Sequence, residues 1–532
     1  MREDASRSGK KKSPGADCQR GCLFIGVPRG VCDTVLYMTS PSPWKLDHES
    51  HSFPRLERTL EVDVAIIGGG ITGVMTAYEL IKAGKKVALL EQDRIAGGAT
   101  GWTTAMVTQV TDASLAELGE TFGAETASLV WKNGMQAIDE LERIVKSEKI
   151  ECEFMRCPAY IFASSDADVA RLHREEELAN EAGFKVKMDD APLGFSTPGY
   201  LRVPDQAKFH PVKFLTALAK RVEELGGLVF EESKALSYSG STPCRVKTEH
   251  GEILAKSIVL ATYMPNGDPE SISVRMAAYQ TYVLETIIPS ELLQEAIYWD
   301  TEKPYHYFRV DKFQTHDRLI LGGEDHLTGQ ASDSREHEER LREFLKHLLP
   351  EVKTEIVRTW SGEILEPIDG LPFIGKVHTH QNCYMATGFS GNGMTFGILS
   401  AFINRDLILG KETPETKLYG TLRLTGFWSL MGRGLNFVTQ WIKGRTQSDT
   451  SLVRNIKPGE GAIVELKGKK VAVYKDAQGK ILKLSPLCTH LKCTVCWNSS
   501  GKTWDCPCHG SRFKKDGEVL NGPASKPLEK ID

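Results

Sequence analysis

Residues 62–67, Val-Asp-Val-Ala-Ile-Ile, form a short apolar run that leads directly into Gly68-Gly69-Gly70-Ile71-Thr72-Gly73. Such a run is what a strand buried on both faces requires. A helical apolar pattern follows through Val74, Tyr78 and Leu80 and stops at Gly84. A second run, residues 86–90, then ends in Glu91. Strand, G-x-G-x-x-G, helix, strand and acid in that order confine this part of the chain to a wound α/β sheet. Gly68 permits the tight turn, Gly70 lets the backbone approach a pyrophosphate, and Gly73 lets the helix pack on the strand. The helix N-terminus turns free N–H groups and a positive dipole end toward the phosphates. Glu91, 23 positions after Gly68, is placed to accept hydrogen bonds from ribose hydroxyls. A lone glycine-rich turn would say little, but the whole unit predicts a dinucleotide.

At 532 residues the chain is too long for one ordinary core, so two or more domains are expected. A net charge of −4 with 41% hydrophobic residues describes a globular protein and gives no reason to expect a nucleic-acid partner. No apolar run approaches the roughly 20 residues needed to cross a bilayer, so no transmembrane segment is expected. The most apolar late stretch, residues 427–442, is broken by Gly432, Arg433 and Gly434. It reads as an amphipathic connector, with docking on a membrane surface as the lesser alternative. Five of the twelve cysteines fall between Cys488 and Cys508, which points to a local metal site or staple. Cys152, Cys157, Cys244 and Cys383 are scattered, which suits a reducing, cytoplasmic location. Residues 1–37 carry Lys10-Lys11-Lys12 but no apolar signal core and no twin arginine. Cys18, Cys22 and Cys32 lack a fourth ligand at suitable spacing. This segment is expected to be a disordered tail or spurious upstream sequence, with the true start at Met38.

The tail holds Cys488-Thr489-His490-Leu491-Lys492-Cys493 and Cys506-Pro507-Cys508-His509-Gly510-Ser511. A C-x-H pair and a C-x-x-H pair supply two thiolates for one iron and two imidazoles for the other, the donor set of a Rieske [2Fe–2S] centre. A structural zinc site could use the same residues, although zinc ribbons favour paired C-x-x-C knuckles. Short strands at 461–466, 470–474 and 481–484 suit a small all-β domain over 451–532. The two boxes resemble the Rieske family. That resemblance implies ligands Cys488, His490, Cys506 and His509, a disulfide between Cys493 and Cys508, and a covering loop at Gly522-Pro523-Ala524. Two positions depart from its high-potential members. Lys492 stands where a glycine is usual, so the loop must accommodate a side chain. Phe513 stands where a tyrosine hydroxyl would bond a ligand sulfur, while Ser511 keeps its own hydroxyl. One fewer sulfur hydrogen bond predicts a potential below that of cytochrome bc Rieske centres. Cys496 reads as a structural thiol.

Three further blocks resemble the D-amino-acid oxidase superfamily: residues 97–105, residues 360–375, and residues 386–397. The last block resembles the start of a helix whose N-terminus faces the flavin ring and can stabilise negative charge there. The strand 258–262 matches the family's strand leading back to the cofactor. The resemblance implies non-covalent FAD, with Thr100, Thr103, Thr104, Asn392 and Gly393 as contacts beside the glycines and Glu91. It implies an α/β Rossmann-like FAD domain with an α+β antiparallel substrate sheet (about 150–205 and 275–350) within residues 60–410. A helical linker at 411–450 would lead to the Rieske domain. Alternating residues 278–286, 305–310 and 318–323 suit that substrate sheet. Tyr307 and Arg309 fall where relatives place residues over the flavin face, and a guanidinium there could hold a carboxylate bidentately. An arginine solvated at a strand end is the equal alternative. Glu366 stands near where some amino-acid oxidases carry an arginine, which weakens an α-amino-acid substrate and leaves a cationic amine open.

No second strand–G-x-G-x-x-G unit follows, which disfavours NADH as the electron donor. Hydride chemistry at a C–N bond belongs to the flavin, while the protein orients the substrate and excludes water. A two-electron flavin beside a one-electron cluster suggests a dehydrogenase of an amine or amino-acid-like substrate, delivering electrons to an unidentified acceptor. An electron-supply component for an oxygenase and a non-enzymatic redox sensor are the alternatives. The combination is similar to bacterial FAD-dependent oxidoreductases with a C-terminal Rieske domain, the YhfW type.

Overall fold

A computed structural model describes residues 41–46, 51–265, 269–330, 334–423 and 453–531. The expected N-terminal tail and the apolar connector lie outside these residues. Of the expected linker, the described part carries one short helix, Pro414–Leu418.

The apolar run becomes strand Thr59–Ile67 at the middle of a mainly parallel sheet. Glu252–Leu260 and Val87–Leu90 flank it in parallel, followed by Cys383–Thr387 on one side and Leu228–Phe230 on the other. Phe373–Lys376 adds an antiparallel edge. Ile67 is level with both Leu90 and Leu260, so the turns after three central strands emerge together. Ligands of open α/β sheets bind at such carboxyl ends. Helix Ile71–Lys82 is buried over its first ten residues because a second helix, Gly393–Ile408, lies against it. Gly397 permits the approach: a Cβ there would meet Ile71 Cγ2 at 2.5 Å.

A second sheet of nine strands runs Glu355–Pro367, Met276–Ile288, Asp317–Leu327, Tyr307–Lys312, Ile297–Asp300, Met155–Phe162, Tyr200–Lys208, Met106–Val107, with Lys187–Asp189 beside Tyr200–Lys208. It is antiparallel except where Ile297–Asp300 meets Met155–Phe162. The strand expected from alternation at 278–286 is present as Met276–Ile288, but it is buried along most of both faces. Helix Arg335–Leu348 covers one side through Leu341, Leu345 and Leu348. The segment around Trp360 belongs to this sheet and pairs along Met276–Ile288 from Pro367 to Glu355.

The C-terminal residues form two small antiparallel sheets. Glu460–Leu466, Lys469–Lys475 and Ile481–Leu484 make the first. Cys496–Asn498, Thr503–Asp505, Arg512–Lys514 and Val519–Asn521 make the second. Trp504, Phe513, Val495 and Leu484 are fully buried between them, in one cluster with Cys488 and Cys506.

Candidate functional site

Contact requires glycine at two positions of the first turn and leaves the third little room. Gly68 has φ of 113°, and a Cβ there would strike Ala261 O. A Cβ on Gly73 would overlap Gly68 O, and one on Gly70 would lie 3.1 Å from Thr100 Oγ1. Thr100 accepts the Ile71 N–H at 3.1 Å, tying the loop 97–104 to the helix start. Glu91 accepts the Gly69 N–H at 2.7 Å and the Asp93 N–H at 2.9 Å. Burial pushes its carboxyl above the usual range, against those donors. Thr103 accepts the Ala105 N–H, and Trp360 Nε1–H donates to Trp102 O at 2.8 Å, clamping the same loop from the second sheet.

Apart from Gly73, which lies behind them against Gly68, and Ala105, these groups border one cavity of about 860 Å³, within the usual range for small-molecule sites. Gly68, Gly70, Glu91, Thr100, Thr103, Thr104, Asn392, Gly393 and Tyr307 line it together, although they come from distant parts of the sequence. Asn392 does not aim its amide into the cavity. Its Oδ1 accepts the Asp112 N–H, and its Nδ2–H donates to Val110 O and Thr108 Oγ1. It thereby fixes the strand end 106–112 against the N-terminus of helix Gly393–Ile408.

Arg309 corrects a sequence expectation. It borders no part of the cavity and is 2% exposed. Its guanidinium bonds Asp311 Oδ1 through Nε (3.0 Å) and Nη2 (2.6 Å), and through Nη1 the carbonyls of Thr104, Ala105 and Phe209. The reason is strand geometry: residues two apart share a face but sit about 6.6 Å apart along it. That step carries Arg309 from the cavity to a place covered by Trp44, whose ring lies 5.1 Å away. Asp311 also receives Lys208 and Arg318, and these cations hold its carboxyl well below the usual range despite burial.

In the C-terminal domain Cys488 and Cys506 are buried with their sulfurs in hydrogen-bond contact. The N–H groups of His490 and Leu491 and the Ser511 hydroxyl point at Cys488 Sγ, and those of Cys508 and His509 at Cys506 Sγ. Cys506 and these donors lower the Cys488 thiol to about 7, whereas Cys488 beside it and burial push the Cys506 thiol up. The imidazoles of His490 and His509 are neighbours, with ring centroids 5.2 Å apart. Cys493 and Cys508 form a disulfide joining the two loops, its Cα atoms 6.5 Å apart. Both sulfurs lie within 4.8 Å of Cys506 Sγ, but their bond leaves Cys506 as the one thiol of that trio. Two thiols and two imidazoles therefore remain, the donors a Rieske cluster takes. Lys492 has φ of 60°, which explains why glycine is usual there. The Ala524 N–H donates to Ser511 Oγ, so the 522–524 loop lies over the ligand loops.

The cluster loops also border the cavity region. Gly510, next to His509, packs so closely on Ala278 that a Cβ would collide with it. Asn521 Nδ2–H donates to Glu363 Oε2 at 2.8 Å, and Gln330 Nε2–H donates to Pro507 O. Arg512, Asn521, Gly522 and Ala524 line the cavity with the glycines and Tyr307. Glu363 is pushed up to about 8 by burial, and its Oε1 has no hydrogen-bond partner among the described residues. Tyr263, with φ of 67°, donates its hydroxyl to the Glu363 carbonyl. Sequence reading missed Glu363, Tyr263, Arg512 and Asp112. The first three matter through contacts between domains, and Asp112 sits in a loop without a motif.

Residues 63–406 match the family described as FAD dependent oxidoreductase (DAO), and residues 449–532 the Rieske [2Fe-2S] domain. The chain belongs to the DAO family of FAD-dependent oxidoreductases and carries a C-terminal Rieske domain. Over 496 residues it is 34% identical to YhfW of Bacillus subtilis, described as a Rieske 2Fe-2S iron-sulfur protein, covering 92% of this chain and 97% of that one. It is 24% identical to the gamma-glutamylputrescine oxidoreductase of Escherichia coli, over 67% of this chain and 86% of the relative. The crystal structure of glycine oxidase from Geobacillus kaustophilus superposes with a TM-score of 0.59 at 19% identity, covering 68% of this chain and 99% of that one. This DAO oxidoreductase uses FAD and a Rieske [2Fe-2S] cluster. Among the described residues no helix is long and apolar enough to cross a membrane.

Proposed function

We propose that this DAO oxidoreductase is a dehydrogenase acting on the C–N bond of an amine or amino-acid-like substrate, with electrons leaving through the Rieske cluster to a separate acceptor. The observation that carries this reading is the shared wall. Arg512 and Asn521 of the cluster domain border the flavin cavity, and Gly510, beside ligand His509, touches the substrate sheet at Ala278. An oxidase that passes electrons to oxygen would need no such closure. The relatives named for glycine oxidase and gamma-glutamylputrescine oxidoreductase support C–N chemistry.

FAD supplies two-electron chemistry and the cluster one-electron transfer. Gly68 and Gly70, with the N–H groups opening helix Ile71–Lys82, would hold the pyrophosphate, while Gly73 lets that helix pack on the strand. A carboxylate has about four acceptor sites, so the two backbone donors on Glu91 leave capacity for ribose hydroxyls. Thr100, Thr103 and Thr104 shape the loop against the cofactor. Asn392 and Gly393 present a helix N-terminus that stabilises negative charge. Cys488, His490, Cys506 and His509 would ligate the irons. Tyr307 walls the substrate end, with its hydroxyl held 3.1 Å from Thr281 Oγ1. Four buried thiols without disulfides, Cys152, Cys157, Cys244 and Cys383, suit the cytoplasm.

Anaerobic exposure of the holoenzyme to a panel of amines, amino acids and NADH tests this. An amine or amino acid is expected to bleach the flavin while NADH does not. Bleaching by NADH alone would replace this reading with an electron-supply component for an oxygenase.

A further inference from the structure

One part of the cavity wall is formed by Thr281, Tyr305, Tyr307, Gly391 and Asp112. Tyr307 packs on Gly322, where a Cβ would meet its ring at 2.5 Å. The Tyr305 ring lies 5.5 Å from that of Tyr307, and its hydroxyl points at Asp112 Oδ1 at 3.4 Å. The Gly391 N–H donates to Asp112 Oδ2 at 2.6 Å. Gly391 leaves room for this carboxylate, since a Cβ would stand 2.8 Å from Asp112 Oδ1. Asp112 is thus held in place and open to the cavity. Asp325 and Glu366 also act on Tyr305, although burial pushes the Asp325 carboxyl up to about 7.

The cations of the cavity wall among the described residues are elsewhere or engaged. Arg171 pairs with Asp168 at 3.2 Å and donates to Thr301 O. Lys303 stands at the rim, 3.8 Å from Glu117. Arg512 is bonded to Asp505, and Lys234 lies beside Ser233 at the Glu91 end. With Arg309 buried against Asp311, a substrate carboxylate would meet Asp112 and two phenol faces.

We infer that Asp112 anchors the substrate by its positive charge, and that the substrate is a cationic amine bearing no carboxylate next to the reacting carbon. Two tyrosine rings and a carboxylate open to the cavity suit an alkylammonium through ion pairing and cation–π attraction. Burial raises the Asp112 carboxyl, and a bound ammonium draws it back to the ionised form. The inference rests on the dehydrogenase reading and names the substrate class for it.

The test uses two probes of matched shape that have no hydrogen on the substituted carbon and so cannot be oxidised there: tert-butylammonium and pivalate. Each is titrated into holoenzyme while the flavin absorbance is followed. Tert-butylammonium is expected to perturb the spectrum at concentrations where pivalate does not. Asp112→Asn should weaken the ammonium at least about tenfold, and Asp112→Glu should recover part of the loss. Tighter binding of pivalate, no response to either probe, or unchanged ammonium binding in Asp112→Asn would overturn the assignment. Should Asp112→Asn lose FAD, the wild-type preference between the probes decides alone. Neither probe donates electrons, so the outcome is separate from whether any amine reduces the flavin.

Discussion

Replacing Arg309 with methionine separates its structural place from the carboxylate-binding role its position suggested. Methionine keeps much of the apolar stem while removing five hydrogen bonds, two to Asp311 and three to the carbonyls of Thr104, Ala105 and Phe209. Breaking a buried charged pair costs about 3–5 kcal/mol when one partner is stranded. Asp311 is not stranded, because Lys208 at 2.7 Å and Arg318 at 2.9 Å remain. The loss should therefore fall near the lower bound, about 3 kcal/mol. Freed carbonyls also loosen the 103–105 loop on the cofactor side, so FAD should be held about tenfold more weakly. Urea unfolding followed by tryptophan fluorescence gives the first quantity, and FAD release on dilution gives the second. Arg309→Lys keeps the charge but loses the planar fork, and should recover only part of either. A variant with unchanged urea midpoint and FAD retention, but a raised KM for a carboxylate substrate, would refute this account and return Arg309 to the substrate.

Lys492 holds a left-handed conformation at φ of 60°, so Lys492→Gly should stabilise the cluster domain by about 1 kcal/mol, read as a rise in its thermal midpoint with the iron retained. Phe513→Tyr, in the cluster with Cys488 and Cys506, should raise the cluster potential in a redox titration, and the wild-type value should lie below that of cytochrome bc centres. Burial works against charge on His306, yet Asp300 and Glu324 outweigh it and raise the imidazole to about 9 from 6.5. That contribution to stability is full below pH 6.5 and is lost as pH rises through about 9. The difference in urea midpoint between wild type and His306→Asn should therefore shrink across that interval.

The dinucleotide turn was legible because its function lies in local backbone: three glycines, a helix start and an acid close in sequence. The cluster boxes were legible for the same reason, each loop carrying two cysteines and one histidine at fixed spacing. Lys492 shows how local the signal is, since its departure from glycine reappears as a positive φ. Arg309 was misplaced because alternation gives the face of a strand but not what covers that face at each step. Trp44, far away in sequence, occupies the space. Asp112 left no trace in pattern, since it is defined by Gly391 and Tyr305 meeting it from two other segments. Contact of Gly510 with Ala278 depends on docking of two domains, which neither domain's sequence encodes alone.

Freeze-quenching the holoenzyme after anaerobic mixing with an amine that bleaches the flavin shows whether flavin and cluster form one path. The paramagnetic signal of the reduced cluster is expected to grow as flavin absorbance falls. Cys506→Ser should show bleaching with flavin still bound, no iron signal, and no reduction of an added one-electron acceptor. A flavin that is reduced and reoxidised through repeated turnovers while the cluster stays oxidised would contradict a single path.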